Sequence, residues 1–497
     1  MVEGNVTMTD MADQGFQGLM TRKSVASIIA EAGEHTLGKT LGPLSITALG
    51  IGCIIGAGIF VLTGTAAAHY AGPAIMLSFV VGGVACAFVG LCYAELAALL
   101  PVAGSTYTYT YATLGEIFAW IIGWDLILEY AMGASTVAVG WSGYIVSLLH
   151  NFGINIPPQY AAARWTEVKL PDGSTVEGIV NLPAALIVLL LTAMLIAGTK
   201  ESARLNNIMV GIKLAVVVAF ILLGIGYVTP ANWHPFIPEN TGTFGQFGWT
   251  GIMRGASVVF FAFIGFDAVS TAAAEAKHPQ TDMPIGILGS LLICTILYVL
   301  VAGVVTGLVP YTELGVPDPI AKGVDVIGLT WFSVLIKFGA LAGLTTVILV
   351  LLYGQSRIFF QIAKDGLLPR MFSDVHPTLG TPSKSQLLIG IIVAVVASLT
   401  PIDILGEMVS IGTLFAFVLV CGAVVYLRRS DADVARPFRT PGVPVVPILG
   451  IAFSLLLMVF LPWQTWLRLI VWLVIGLALY FAYGRSHSVL LHSAARR

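Results

Sequence analysis

Long apolar segments, separated by short polar stretches, repeat along almost the whole chain of 497 residues. Many approach the ~20 residues that an α-helix needs to cross the hydrocarbon core of a bilayer. We predict twelve spans, at residues 44–68, 72–100, 116–149, 181–198, 205–228, 249–275, 284–309, 330–362, 385–400, 405–427, 445–461 and 465–484. The expected fold class is therefore an all-α, polytopic membrane protein embedded in a lipid bilayer.

Composition supports this fold class. Hydrophobic residues make up 57% of the chain and charged residues only 10%, whereas soluble domains carry roughly a quarter charged residues. The net charge is −2, and no long run of one sign indicates a nucleic-acid partner. The five cysteines lie in apolar segments without a close pair. This arrangement favours small buried thiols over disulfides or metal ligands.

Signatures of soluble enzymes are missing or out of context. The sequence GEHTLGKT, at residues 33–40, matches a phosphate-binding loop letter by letter. That loop requires a preceding buried strand in an α/β domain, but here polar residues precede it and a predicted span follows. The eight histidines lack the spacing of metal ligands. We therefore expect a protein that is not an enzyme and uses no cofactor, metal or catalytic residue.

Lysine and arginine placement predicts the orientation of the chain, because cytoplasmic loops of membrane proteins retain positive charge. With the N-terminus inside, cytoplasmic segments hold 17 of the 24 Lys and Arg residues and external loops hold three. We expect both the N-terminal segment 1–43 and the tail 485–497 to be cytoplasmic. The polar start lacks the pattern of a cleavable signal peptide. The predicted location is the cell membrane, plasma or inner.

Two predicted spans contain helix-weakening sequences. Span 1 reads GIGCIIGAGIF at residues 50–60, and each glycine weakens a helix by about 1 kcal/mol relative to alanine. Span 6 reads FFAFIGFDAVS at residues 260–270, where Gly265 and Asp267 interrupt an apolar run. Within a bilayer, freed backbone groups are tolerated only where they line a cavity or are buried in protein.

The two weak points are five spans apart. This spacing predicts two inverted repeats, residues 44–228 and 249–427, whose first helices are discontinuous and hold the substrate between them. Residues 445–484 would then form two accessory helices. The alternative is that small residues at 50–58 only permit intact helices to pack closely.

Broken helices offer a site for a zwitterion, because the N-terminus of a half-helix presents unpaired N–H groups and its C-terminus presents carbonyls. We expect an amino acid's carboxylate on the amides near Ala57 and Gly58, and its ammonium on carbonyls near Ile54, Phe261 and Ile264. Asp267 is expected to cap the second half of span 6. The predicted substrate-binding residues are Ile54, Gly56, Ala57, Gly58, Phe261, Ala262, Ile264 and Gly265.

Lys213 lies about eight residues into span 5, roughly 12 Å along it, which places it near the bilayer middle. An ionisable residue at that depth is a functional candidate. Because burial favours the uncharged form of a lysine, Lys213 could bind and release a proton during transport. The alternative is a permanently paired lysine that only fastens helices.

Span 3 carries Asp125 and Glu129 at i,i+4 spacing, with Glu129 the deeper. Glu129 could contact Lys213, belong to a proton path, bind a cationic substrate or only bond helices. We choose Lys213 and Glu129 as candidates for proton coupling. Glu95 and Glu116 lie toward the cytoplasmic ends of spans 2 and 3, where they would shape an inner gate or reach water.

The chain resembles the amino acid–polyamine–organocation (APC) superfamily of permeases, and within it bacterial members of the cationic amino acid transporter branch. The resemblance covers nearly the whole chain. The motifs that carry it are GIGCIIGAGIF (50–60), YAELAALLPVAGSTYTYTY (93–111), FFAFIGFDAVSTAAAEAKHP (260–279), YGQSRIFFQIAKDGLLP (353–369), RPFRTPGVPVVP (436–447) and YFAYGRSHS (480–488).

The resemblance implies a LeuT-type, five-plus-five fold with Phe261 as a gate over the substrate. It also implies that Lys213 stands where sodium-coupled relatives hold a cation, which favours proton coupling. Ala57 occupies a position where many relatives carry Ser or Thr, so a hydroxyl contribution is lost there. Apolar residues of span 8 such as Leu351 would face the substrate side chain and favour small or neutral amino acids.

The function expected from these observations is proton-coupled symport of amino acids by alternating access, with amino acid and proton as partners. A small membrane subunit is compatible with this fold but has no signature in the sequence. One alternative is an exchanger or polyamine carrier of the same fold. Another, of a different class, is a membrane channel or sensor.

Overall fold

The computed structural model describes residues 21–23, 41–100, 105–169, 174–197, 202–377, 381–430, 432 and 434–494. The phosphate-loop-like motif at 33–40 lies outside these residues. The helices are α1 Pro43–Ile54, α2 Thr63–Ala66, α3 Ile75–Leu99, α4 Ser105–Thr113, α5 Glu116–Asn151, α6 Leu182–Ala197, α7 Ser202–Gly224, α8 Gly248–Val259, α9 Pro279–Leu308, α10 Pro319–Val326, α11 Thr330–Lys364, α12 Ser383–Leu399, α13 Ile402–Ser430, α14 Val445–Val459, α15 Trp463–Leu479, α16 Arg485–His487 and α17 Val489–Ala494. Strands β1 Glu167–Lys169 and β2 Thr175–Glu177 pair as an antiparallel hairpin between α5 and α6.

Within the described residues, seven helical stretches are long and apolar enough to cross a membrane. They are Gly58–Leu99, Glu116–Asn151, Ile208–Tyr227, Pro279–Leu308, Thr330–Lys364, Ile402–Ser430 and Trp463–His492. Four further apolar helices, α1, α6, α12 and α14, are shorter. The predicted mostly helical membrane fold is therefore confirmed, while the count of twelve spans stays a prediction.

Helix α5 lies at the centre of the bundle. In its most apolar window 78% of the residues are buried, against 22% for the stretch that contains α15. Helix α5 packs against α11 and α13, and α3 packs against α9. Outer helices turn large apolar side chains outward, as at Leu222 (68% exposed) and Leu292 (63% exposed). Such a surface is costly in water but suits contact with lipid.

Four helices lie in segments for which we predicted no span: α4, α10, α16 and α17. Helix α4 is formed by a polar, tyrosine-rich sequence that has no apolar stripe. It is held by tertiary contacts, including a 2.8 Å hydrogen bond between the hydroxyls of Tyr93 and Thr106. Helix α10 begins with Pro319 in its first turn, a position where the missing N–H of proline costs nothing.

Span 1 is interrupted, as predicted. Helix α1 ends at Ile54, and Ile55 is extended, with φ −72° and ψ 105°. The chain resumes as a π-helical turn, Gly58–Leu62, followed by α2 and a second π-helical turn, Ala67–Ala71. It then turns at Gly72, where φ is +60°. An unbroken helix packed through small residues, the alternative interpretation of residues 50–58, is therefore wrong.

Span 6 is interrupted as well. Helix α8 tightens into a 3₁₀ turn, Phe260–Phe263, after which Ile264 is extended and Gly265 has a φ of +110°. The chain continues as a second 3₁₀ segment, Ala268–Glu275. A φ of +110° is accessible to glycine at little cost, because glycine has no Cβ.

The two interruptions touch each other through their backbones. A Cβ added to Gly265 would lie 2.8 Å from the carbonyl oxygen of Cys53. A Cβ added to Gly58 would lie 2.2 Å from Cα of Ala262. Only glycine permits this approach, so Gly58 and Gly265 bring the exposed peptide groups of both helices together.

Replacing Gly265 by alanine is expected to destabilise the fold by about 1–3 kcal/mol or more, because the new Cβ would combine strain at a positive φ with a clash against Cys53. The measurement is the apparent melting temperature of the purified protein in detergent. Gly422→Ala in α13 is the matched control, since a Cβ there meets nothing within 4 Å. Equal melting temperatures for the two variants would contradict the close crossing.

Candidate functional site

A cavity opens beside the crossing of the two interrupted helices. Seven of the eight predicted substrate-binding residues line it: Ile54, Gly56, Ala57, Gly58, Phe261, Ile264 and Gly265. The eighth, Ala262, is not in the lining and packs against Gly58 instead. The structure thus brings the predicted residues to one place, while their role in binding stays a prediction.

The cavity has two chemically different halves. Its first half is the interrupted backbone, to which Gly52 and Cys53 also contribute. The other half is a wall of two helices, with Gly133 and Val137 from α5 and Val347, Val350 and Leu351 from α11. No charged side chain from the described residues lines either half. Polar recognition in the cavity therefore falls to peptide groups.

Among the residues of this wall, the sequence analysis named only Leu351. Gly133 and Val137 are spaced i,i+4 on one face of α5, as Val347 and Leu351 are on α11. This signal was present in the sequence but not distinctive, because both helices are largely apolar on every side. A helical pattern shows which residues share a face but not which face borders the cavity.

Tyr298 of α9 connects the two interruptions, a contact that no pattern in the sequence indicates. Its hydroxyl lies 2.9 Å from the carbonyl oxygen of Ile54 and 2.7 Å from that of Ala262. Both carbonyls belong to peptide groups that an intact helix would have paired internally. Tyr298 is fully buried, so its hydroxyl stabilises the carbonyl groups of both interrupted helices at a place that is shielded from water.

Lys213 of α7 is fully buried and reaches the first interruption. Its Nζ donates to the carbonyl oxygen of Ile55 at 2.9 Å and to that of Gly52. These carbonyls lie at the C-terminal end of α1, where the helix dipole favours a positive charge. In the described part of the chain, Lys213 forms no ion pair with a carboxylate. Its charge therefore lies at a helix end that favours a cation.

Glu129 is buried on α5, one turn before Gly133. A direct contact with Lys213, one of the alternatives for Glu129, is absent among the described residues, since both partners of the lysine are carbonyls. Proton coupling through Glu129 stays a prediction.

Asp267 contacts the second interruption itself. Its carboxylate accepts a hydrogen bond from the N–H of Gly265 at 3.1 Å, and its carbonyl accepts one from the N–H of Ser270 at 2.9 Å. The side chain therefore stabilises the sharp turn at Gly265. The expected cap is not formed, because Asp267 precedes Ala268–Glu275 without a side-chain capping hydrogen bond to it.

Glu95 and Glu116 do not reach water, so that interpretation is wrong. Glu95 pairs with Arg428 at 2.8 Å and with Arg436 at 3.3 Å. The buried Glu116 accepts hydrogen bonds from the hydroxyls of Tyr111 and Tyr480. Both carboxylates connect helices at the end of the bundle where Lys23 and the C-terminal segment lie.

In the parts of the chain that the structure describes, no cluster of three or more His, Cys, Asp or Glu side chains could hold a metal ion.

Comparison with known proteins agrees with this architecture. A family model described as amino acid permease matches residues 41–480. The chain is 49% identical to the branched-chain amino acid permease BcaP of Bacillus subtilis, over 94% of this chain and 98% of the relative. It is 44% identical to the methylthioribose transporter of the same bacterium, over 96% of this chain and 100% of the relative.

A eukaryotic relative is also similar to the chain, at lower identity. The chain is 38% identical to the vacuolar cationic amino acid transporter 4 of Arabidopsis thaliana, over 84% of this chain and 68% of the relative. These relatives are permeases and transporters, not enzymes. The resemblance inferred from the sequence motifs is confirmed: the chain is a membrane protein of the amino acid permease family, within the APC superfamily.

Proposed function

We propose that this protein is a secondary active transporter that carries amino acids together with protons by alternating access. The observation that carries the proposal is the contact between two interrupted helices, whose backbone borders a cavity that no charged side chain of the described residues lines. A zwitterion complements such a site, because each of its charges finds a helix end of opposite polarity.

Backbone groups would bind the carboxylate and the ammonium group that all α-amino acids share. The carboxylate binds the N–H groups that begin the segment after the first interruption, around Ala57 and Gly58, which have no intrahelical partner. The ammonium binds carbonyls of the second interruption at Phe261 and Ile264. Ile54 is the weaker candidate, because its carbonyl already accepts the hydroxyl of Tyr298.

The proposed architecture is LeuT-type, with twelve spans. Residues 44–228 and 249–427 form the two inverted repeats and 445–484 the accessory helices. Helices α14, α6 and α12 have 15, 16 and 17 residues, fewer than the ~20 that cross a bilayer. Residues that flank each helix would complete the crossing. We place the protein in the cell membrane with 1–43 and 485–497 in the cytoplasm.

Proton coupling is proposed to depend on Lys213 and Glu129. While Lys213 is charged it satisfies the carbonyls of Gly52 and Ile55, and loss of its proton would release that helix end. Glu129 would lie on the pathway by which the proton crosses the protein. Phe261, which lines the cavity, would act as the gate over the bound substrate.

Other functions make different demands on the site. A polyamine carrier needs carboxylates in its cavity, and the described lining has none. An exchanger of the same fold would need counter-substrate rather than a proton gradient. A channel or sensor would not accumulate solute. Because one close relative is a methylthioribose transporter, that compound belongs in any substrate panel.

Protein reconstituted into liposomes is expected to accumulate at least one labelled amino acid when the lumen is made alkaline relative to the bath. The driving force is the inward proton gradient, so a protonophore should reduce the accumulation to the level of empty liposomes. The measurement is initial uptake across a panel of amino acids, methylthioribose and putrescine.

Two outcomes would decide against this function. Equal accumulation without the gradient would remove proton coupling, and uptake only into liposomes preloaded with substrate would identify an exchanger. Exclusive uptake of methylthioribose would leave the transport mechanism in place but replace the substrate class.

Lys213→Ala is expected to reduce gradient-driven uptake by about tenfold or more, because the substitution removes two charge-assisted hydrogen bonds at the first interruption. Exchange of labelled for unlabelled substrate should be reduced less, since it needs no net proton movement. Lys322→Ala, at a half-exposed lysine paired with Glu313, is the control. Wild-type gradient-driven uptake by Lys213→Ala would show that the lysine only fastens helices.

A further inference from the structure

We propose that the base of the hairpin between α5 and α6 is a lipid-binding surface, which places Trp165 and Ile179 in the headgroup region of the outer leaflet. The base comprises residues 163–166 and 178–181, which flank β1 and β2. In the proposed topology this hairpin lies on the external side. The inference goes beyond the proposed function, because it concerns how the protein sits in the bilayer and needs no transported substrate.

The exposed apolar surface of α6 continues into the hairpin. Leu182, Leu186 and Leu190 recur at four-residue spacing, so they share one face of the helix, and each is more than half exposed. Such a face lies against hydrocarbon in a membrane protein. Ile179, three residues before Leu182, is 56% exposed. The exposed apolar positions therefore extend past the first residue of α6 into the connecting chain.

The length of α6 gives this extension a purpose. Its 16 residues rise only about 24 Å, whereas the hydrocarbon core of a bilayer is about 30 Å thick. Residues that flank the helix must therefore complete the crossing. At the external end these residues belong to the hairpin base, so the boundary of the bilayer would lie at Ile179 rather than at Leu182.

The hairpin brings Trp165 and Ile179 to the same end of its ladder. The N–H of Gly178 donates to the carbonyl oxygen of Thr166 at 2.9 Å, and Trp165 and Ile179 are the next residues on the two chains. Trp165 is 70% exposed, and the guanidinium of Arg164 lies 5.4 Å from the centre of its ring. This combination suits the headgroup region, where an apolar ring meets lipid while polar and charged groups remain near water.

Hydrogen bonds fix the hairpin base to the bundle. The N–H of Ile179 donates to the carbonyl oxygen of Gln159, and the N–H of Asn181 donates to that of Ser398 at the end of α12, each at 2.8 Å. The side-chain oxygen of Asn181 accepts the hydroxyl of Ser142 in α5 at 2.6 Å. The fold therefore holds the base in place and keeps the side chain of Ile179 at the surface.

The hairpin becomes charged with increasing distance from its base. Glu167 and Glu177 pair across the ladder, two residues or roughly 7 Å beyond Trp165 and Ile179, and both are exposed. Acidic side chains belong in water rather than in hydrocarbon. The change from apolar to acidic thus occurs over about the thickness of one headgroup layer, roughly 5–8 Å.

Three other tryptophans occupy corresponding positions. Trp249, Trp331 and Trp463 lie in the first turns of α8, α11 and α15, and their side chains are largely exposed. In the proposed topology these helices begin on the external side, as α6 does. Because tryptophan is enriched where a membrane meets water, the three positions favour an aromatic belt at the external boundary, and Trp165 would be part of it.

The test compares a fluorophore at the hairpin base with one at the start of β2. Trp165→Cys and Thr175→Cys, the latter at an exposed position, are labelled with a polarity-sensitive fluorophore and reconstituted into phosphatidylcholine liposomes. The label at 165 is expected to emit at a shorter wavelength, because it contacts lipid. Phospholipid with brominated acyl chains should quench this label, while iodide on both sides of the membrane should quench the label at 175.

Wild-type protein treated in the same way measures background labelling, since Cys53 is the only cysteine of the described residues that is not fully buried. Ile179→Cys should behave like Trp165→Cys and provides a second measurement if that variant folds poorly. These readouts do not involve uptake, so they remain decisive even if the proposed function fails.

Two results would overturn the inference. Equal emission and equal iodide quenching of the labels at 165 and 175 would show that the hairpin base faces water. A shorter emission wavelength at 165 that disappears when the protein is diluted into more lipid, without quenching by brominated phospholipid, would assign the surface to a second copy of the protein.

Discussion

The structure depends on how peptide groups are satisfied where two helices stop inside an apolar bundle. Each interruption exposes N–H and carbonyl groups that water cannot reach, and leaving them unpaired would cost several kcal/mol per group. Lys213 and Tyr298 bind the carbonyls of Gly52, Ile54, Ile55 and Ala262. In the proposed function the N–H groups at Ala57 and Gly58 would bind the ligand, so the same constraint that stabilises the interruptions would also supply the binding site.

In the proposed function, recognition of the amino acid core is separate from recognition of its side chain. Peptide groups would hold the part that every α-amino acid shares, while α5 and α11, which form the wall of the cavity, would meet the part that varies. Changes confined to the wall can then alter specificity without disturbing the interruptions. Relatives named for branched-chain amino acids, for methylthioribose and for cationic amino acids fit a scaffold of this kind.

Charged residues inside the bundle serve two physical purposes. Glu95 is paired with arginines, and Arg254 pairs with Glu407 at 2.6 Å, so these ions connect helices at low cost. Lys213 instead binds carbonyl dipoles, and Glu116 binds hydroxyls. Ion pairs therefore connect helices to each other, whereas Lys213 and Glu116 satisfy neutral polar groups inside the bundle.

The sequence by itself determined the fold class, the family and the two interruptions, because apolar length, motif content and the glycines at 50–58 and 265 act locally. It also predicted a buried Lys213. Only the tertiary structure decided that the lysine binds Gly52 and Ile55, that Tyr298 joins the interruptions, and that Gly133 faces Leu351. In helices that are apolar on every side, periodicity does not distinguish the lipid-facing surface from the cavity wall, so these contacts follow from how the helices pack together.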